Sequence, residues 1–148
     1  MNAINFDTGL VRFTVNDCYE MTFNPTDSNF AEKLYNVFNI LHDKQDEYKT
    51  RVESAGSDNR KIFGVVRELD GEMRELVDSV AGPGASDQIF GTMNLYALAG
   101  GLPVWANLLL SIMDELDTAF TREQKLTNPR IKKYLDRYDR TRGAKNDL

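Results

Sequence analysis

The chain has 148 residues, 41% hydrophobic and 28% charged, with a formal net charge of -5. That size and balance suit one globular domain with a real core and exclude a fibrous or disordered polymer. A single cysteine, Cys18, and a single histidine, His42, exclude an internal disulfide, a cysteine-rich zinc site, a His-Glu-x-x-His motif and a di-iron bundle built on two Glu-x-x-His motifs.

Taken in chain order, "MNAINFDTGLVRF" has no basic stretch followed by an apolar one, so the expectation is a cytoplasmic protein without an export signal. In "LVRFTVNDCYEMTF", Val11, Phe13 and Val15, then Tyr19, Met21 and Phe23, alternate with polar neighbours. Alternation on both sides of Asn16-Asp17 predicts a β-hairpin, to which Ala3 to Asp7 could add a third short strand. Cys18 is expected to be a small apolar residue of a strand.

After "NPTDS", where Thr26, Asp27 or Ser28 can cap a helix, Phe30, Leu34, Val37, Phe38 and Leu41 recur at spacings of three and four. They predict a helix over residues 28–52. His42 falls on its charged surface. Beyond the polar break "ESAGSDN", the series Ile62, Val66, Leu69, Met73, Leu76 and Val80 makes the cleanest helical stripe, in spite of Gly64 and Gly71. It stops at "AGPGASD", where Gly82 can cap and Pro83 cannot continue. Gly82 and Gly84 are not read as a phosphate loop, because "GPGASDQIFG" lacks the Gly-Lys-Ser/Thr ending.

A short helix is expected over residues 86–99 and a longer one after Gly100-Gly101, with Pro103 near its first turn. Leu102, Trp105, Leu108, Leu109, Ile112, Met113 and Leu116 form a wide apolar stripe that should pack on Leu69, Met73 and Leu76. Glycine, proline, Asn107 and Ser111 break this run too often for a membrane span. Asn128-Pro129 predicts a last helix over residues 129–142. The fold class is thus α+β, mostly α: an N-terminal β-hairpin, with up to three short strands, followed by about five helices.

Charge divides the chain into an acidic body, residues 1–121, and a basic C-terminal helix and tail, residues 122–148. The body holds 9 Lys and Arg against 19 Asp and Glu, net -10, and the tail 9 against 4, net +5. A body so acidic opposes nucleic-acid binding by the tail. The tail's Ile131, Tyr134, Leu135 and Tyr138 instead form an amphipathic stripe suited to a protein surface, either a partner's or the chain's own acidic body, with Arg130 and Arg137 beside them. Those six residues and Trp105 are the candidate partner-binding residues.

Chemistry is sparse. Glu68, Glu72, Glu75 and Asp78 lie on the second long helix, and Asp114, Glu115 and Asp117 on the later one. Glu72 with Glu75 and Asp114 with Asp117 could share a Mg²⁺, as in the all-α nucleotide pyrophosphohydrolases, but such carboxylates ordinarily sit solvated on a polar helix face. No catalytic residue, metal ligand or cofactor site is assigned. A further alternative is an acidic inhibitor of a host nucleic-acid enzyme.

The succession "INFDTGLVRFTVNDCYEMTF", "NPTDSNFAEKLYNVFNIL" and "GASDQIFG" resembles the small tail assembly chaperones of tailed bacteriophages, over roughly residues 4–120. The resemblance implies a non-enzymatic phage or prophage protein of the host cytoplasm that binds the tape measure protein, keeps it soluble during tail assembly and self-associates. It also implies that a longer, frameshifted form can exist.

Overall fold

The computed structural model describes residues 1–126 and 129–137. Two strands, β1 (Val11–Val15) and β2 (Tyr19–Phe23), form an antiparallel hairpin in which Val11 faces Phe23 and Val15 faces Tyr19. Asn16 and Asp17 take positive φ of 49° and 57°, which these two residue types tolerate better than most, and the Cys18 N–H closes the turn on the Val15 carbonyl at 3.1 Å. Cys18 therefore sits exposed in the turn and not in a strand, a correction that follows from its place as the third loop residue. The alternation works as expected: Met21 and Phe23 are buried, while Arg12, Thr14, Glu20 and Thr22 face outward.

No third strand forms from residues 3–7. Among the described residues this sheet has two strands, and residues 1–10 are exposed. Asn24 Nδ2 donates to the Thr8 carbonyl at 2.9 Å, and Gly9 (φ 70°) donates its N–H to Asp7 Oδ1 at 2.8 Å. These bonds hold the chain beyond the end of β2, so local polar contacts override the strand pattern.

Helix α1 (Ser28–Ser54) starts at Asp27, whose carboxylate accepts the Asn29 N–H at 3.0 Å. Helix α2 (Asn59–Ala81) starts in the same way at Asp58 and ends at Gly82, whose N–H returns to the Asp78 carbonyl. Gly82 leaves no room for a side chain, because a Cβ there would meet Tyr19 Oη at 2.5 Å. Tyr19 Oη donates to the Ala81 carbonyl at 2.8 Å, which pins the hairpin to the end of α2.

The short helix α3 (Ala85–Phe90) is less than half the expected length. Gly91, with φ of 58°, ends it, and the Asn94 side chain then accepts the Tyr96 N–H, so residues 91–97 run as turns. The apolar run "LYALA" was expected to be helical, yet a second hairpin follows, β3 (Leu98–Ala99) and β4 (Leu102–Pro103), around Gly100 and Gly101 at φ of 63° and 84°. Two successive positive-φ glycines make a tight hairpin turn, and this explains why the pair does not join two helices. Helix α4 (Val104–Lys125) begins directly after Pro103. The final helix, α5, covers residues 130–137; the predicted Asn128 cap and the stretch 138–142 lie outside the described residues.

Helix α1 is the centre of the packing, against α2 on one side and α4 on the other. Leu34, Val37 and Leu41 of α1 meet Met73, Val77 and Val80 of α2 and Trp105, Leu109 and Ile112 of α4 in one core, which Met21 and Phe23 close from the hairpin. The stripe of α4 therefore packs chiefly on α1 rather than α2. Leu69 is buried outside this cluster, Leu76 packs at its margin, and Leu102 is exposed.

Candidate partner-binding surface

Trp105 does not belong to an exposed partner surface. It is 1% exposed and sits edge-on to Phe38, with ring centroids 5.5 Å apart, so it is part of the chain's own core. Its position on the innermost line of α4, one turn before Leu109 and two before Ile112, puts it there.

Ile131, Tyr134 and Leu135 of α5 are exposed, and Arg130 and Arg137 share their helix. Tyr138 lies outside the described residues. Positions 131, 134 and 135 fall on one side of a helix, so α5 presents a short apolar stripe flanked by cations.

A larger apolar feature lies between the first turns of α1 and the last turns of α4. A groove of about 870 Å³ is lined by Pro25, Ala31, Leu34, Tyr35, Met113, Leu116 and Phe120, and Glu32 and Asp117 are its only charged lining residues among the described ones. Tyr35 and Phe120 are exposed, each on the edge of its helix. Met113, Leu116 and Phe120 follow one another at spacings of three and four, which continues the apolar stripe of α4 along its border with α1. The groove is an open apolar trough with acidic groups beside its floor.

Of the acidic residues singled out on α2, Glu68, Glu72 and Asp78 are engaged structurally, whereas Glu75 is exposed. Glu72 pairs with Lys44 at 3.6 Å and Arg51 at 3.5 Å across the α1/α2 interface, and Glu68 pairs with Arg51 at 3.1 Å. Asp78 accepts the Ser86 N–H at 2.7 Å, which fixes the start of α3. Asp114, Glu115 and Asp117 are exposed on α4, as is His42 on α1. Among the described residues no three His, Cys, Asp or Glu side chains gather as a group that could hold a metal ion.

No family model, curated protein or solved structure matches this chain.

Two further groups bear on the surface. Tyr96 lies tilted against Tyr48, with ring centroids 4.1 Å apart, and donates to the Lys44 carbonyl at 3.3 Å; burial, then the proximity of Tyr48, Glu47 and Glu72, pushes its phenol up to about 12. On the hairpin, a hydrogen bond and ion pair with Arg12 hold the Glu20 carboxyl below its ordinary range. Among the described residues no helix is long and apolar enough to cross a membrane.

Sequence reasoning missed Tyr35 and Phe120. A signal for Phe120 was present in its spacing from Leu116. Tyr35 had none, because it lies one residue off the core stripe, and only the approach of α4 makes its edge of α1 part of a groove.

Proposed function

We propose that this chain is a non-enzymatic tail assembly chaperone of a phage or prophage, which binds an amphipathic helical segment of the tape measure protein in the host cytoplasm and keeps it soluble while the tail assembles. The observation that carries the reading is the open α1/α4 groove, apolar along its floor and acidic at Glu32 and Asp117. A client helix would lay its apolar side against Tyr35, Met113, Leu116 and Phe120, with basic residues beside the two carboxylates. The exposed stripe of α5, with its arginines, supplies a second contact of the composition favoured at protein interfaces. The choice of client rests on the sequence resemblance of residues 4–120 to the tail assembly chaperones.

The test is retention of overlapping tape measure fragments by the purified full chain, followed by the same assay with Phe120→Asp and Tyr35→Asp. One or more fragments should be retained by the native chain and lost, by tenfold or more, from the groove variants. Failure to retain any fragment sinks the reading. Hydrolysis of nucleoside triphosphates in Mg²⁺ would point to the pyrophosphohydrolase instead.

A further inference from the structure

Residues 1–7 form an arm whose sequence and placement disagree. Its Ile4 and Phe6 are spaced as on a half-buried strand, with polar Asn5 and Asp7 between and after them, yet they are 91% and 79% exposed. The arm is kept off its own sheet. The bond from Asn24 to the Thr8 carbonyl draws the chain to the β2 side of the hairpin, since Asn24 directly follows Phe23, the partner of Val11.

The complementary gap lies on the opposite side. Among the described residues β1 pairs only with β2, so its outer edge carries unpaired backbone groups. A pocket of about 200 Å³ opens between the hairpin and α4, with Phe13 and Val15 of β1, Met21 and Phe23 of β2 and Leu108 and Ile112 of α4 in its lining, and a second of about 370 Å³ continues it past Val15 and Leu108. The other edge of the sheet is tied down by Tyr19 to the end of α2.

We propose that the arm of a second copy of this chain adds to β1 as a third strand and seats its Ile4 and Phe6 in the pocket between the hairpin and α4. The lengths agree. Seven extended residues reach about 23 Å, and a five-residue strand is about 17 Å long. The faces agree as well. With Ile4 and Phe6 turned inward, Asn5 and Asp7 join Arg12, Thr14 and Glu20 on the solvent side. The backbone ladder supplies attraction and the two side chains supply register. Because donor and acceptor are different surfaces, the contact is head-to-tail, and successive copies form a ring or an open filament unless two copies exchange arms. This association is independent of what the α1/α4 groove binds, and its test contains no client.

Light scattering of the full chain over a concentration series should give masses above one chain. The chain lacking residues 1–7 and the Phe6→Asp variant should both be monomeric, with the melting temperature of the unassembled native chain. In a Cys18→Ser background, mixing a Phe6→Cys chain with a Ser111→Cys chain under mild oxidation should give a disulfide-linked pair of unlike chains. A native chain that stays monomeric throughout, or arm variants that assemble like it, would overturn the proposal. So would a chain carrying both cysteines that closes on itself when dilute.

Discussion

Arg74 on α2 is the joint between that helix and the loop leading to α4, and its loss makes a quantitative prediction. Its Nε donates to Asp70 Oδ2 at 2.9 Å, one terminal nitrogen to Asp87 Oδ1 at 2.8 Å and the other to the Met93 carbonyl at 2.6 Å. Asp70 uses its second oxygen to accept the Leu95 N–H at 2.7 Å, and Leu95 is wholly buried. The arginine side chain is 14% exposed but that of Asp87 is 78% exposed. The three bonds are therefore unequal.

A hydrogen bond to a charged group contributes about 1.5–3 kcal/mol when shielded, and an exposed ion pair at most about 1. Arg74→Met keeps much of the aliphatic packing and removes all three, so unfolding free energy should fall by about 3 kcal/mol. Asp87→Ala should cost under about 0.5 kcal/mol, because only the solvent-screened bond is lost. For a chain of this length 3 kcal/mol corresponds to a melting shift of roughly 10 °C. Urea titration measures the free energies, and amide exchange over residues 91–97 locates the loss. A fall below about 1 kcal/mol for Arg74→Met, or unchanged protection of those amides, refutes the assignment of the joint to Arg74.

Trp105→Ala should destabilise by about 3–5 kcal/mol, the range for large core aromatics, and if it instead weakened client binding with stability intact, its placement in the core would be wrong. Gly64→Ala and Gly71→Ala should each raise stability by up to about 1 kcal/mol in thermal or urea melts, because a Cβ at either position meets nothing within 4 Å. Folded Tyr96 keeps its proton until about 12 whereas an unfolded tyrosine loses it near about 10. Deprotonation thus favours the unfolded chain across that interval, stability should fall as pH rises from about 10 to about 12, and Tyr96→Phe should flatten that slope in an alkaline melt series. Ile131→Asp should leave the melting temperature within about 1 °C, since the side chain is exposed, while reducing retention of a tape measure fragment that contacts α5.

Elements set by neighbouring residues were legible in the chain by itself. The alternation of Val11, Phe13, Val15 and of Tyr19, Met21, Phe23 specified the hairpin. The stripes on α1 and α2, the cap candidates at residues 26–28 and Gly82 specified two long helices to within a few residues, because caps and apolar periodicity act over one or two turns; the Asp58 cap of α2 emerged only in the structure. The charge split and the amphipathic stripe on α5 were likewise readable, but the exposure of that stripe was not.

What depended on distant neighbours was not. "LYALAGGLP" is apolar enough for a helix, but Asp70 of α2 accepts the Leu95 N–H and Arg74 of α2 reaches the Met93 carbonyl, which holds the approach as a loop before the two glycines at positive φ turn the hairpin. Trp105 could have faced either way until Phe38 of α1 closed over it. Ile4 and Phe6 carry the alternation of a strand, but a strand is completed by an edge to pair with, and Asn24 holds the arm away from its own. The groove exists in no single segment, since Tyr35 and Phe120 are 85 residues apart in "FAEKLYNVF" and "DTAFTRE". Periodicity determines which side of each helix is apolar; the approach of two helices decides which part of that side stays open.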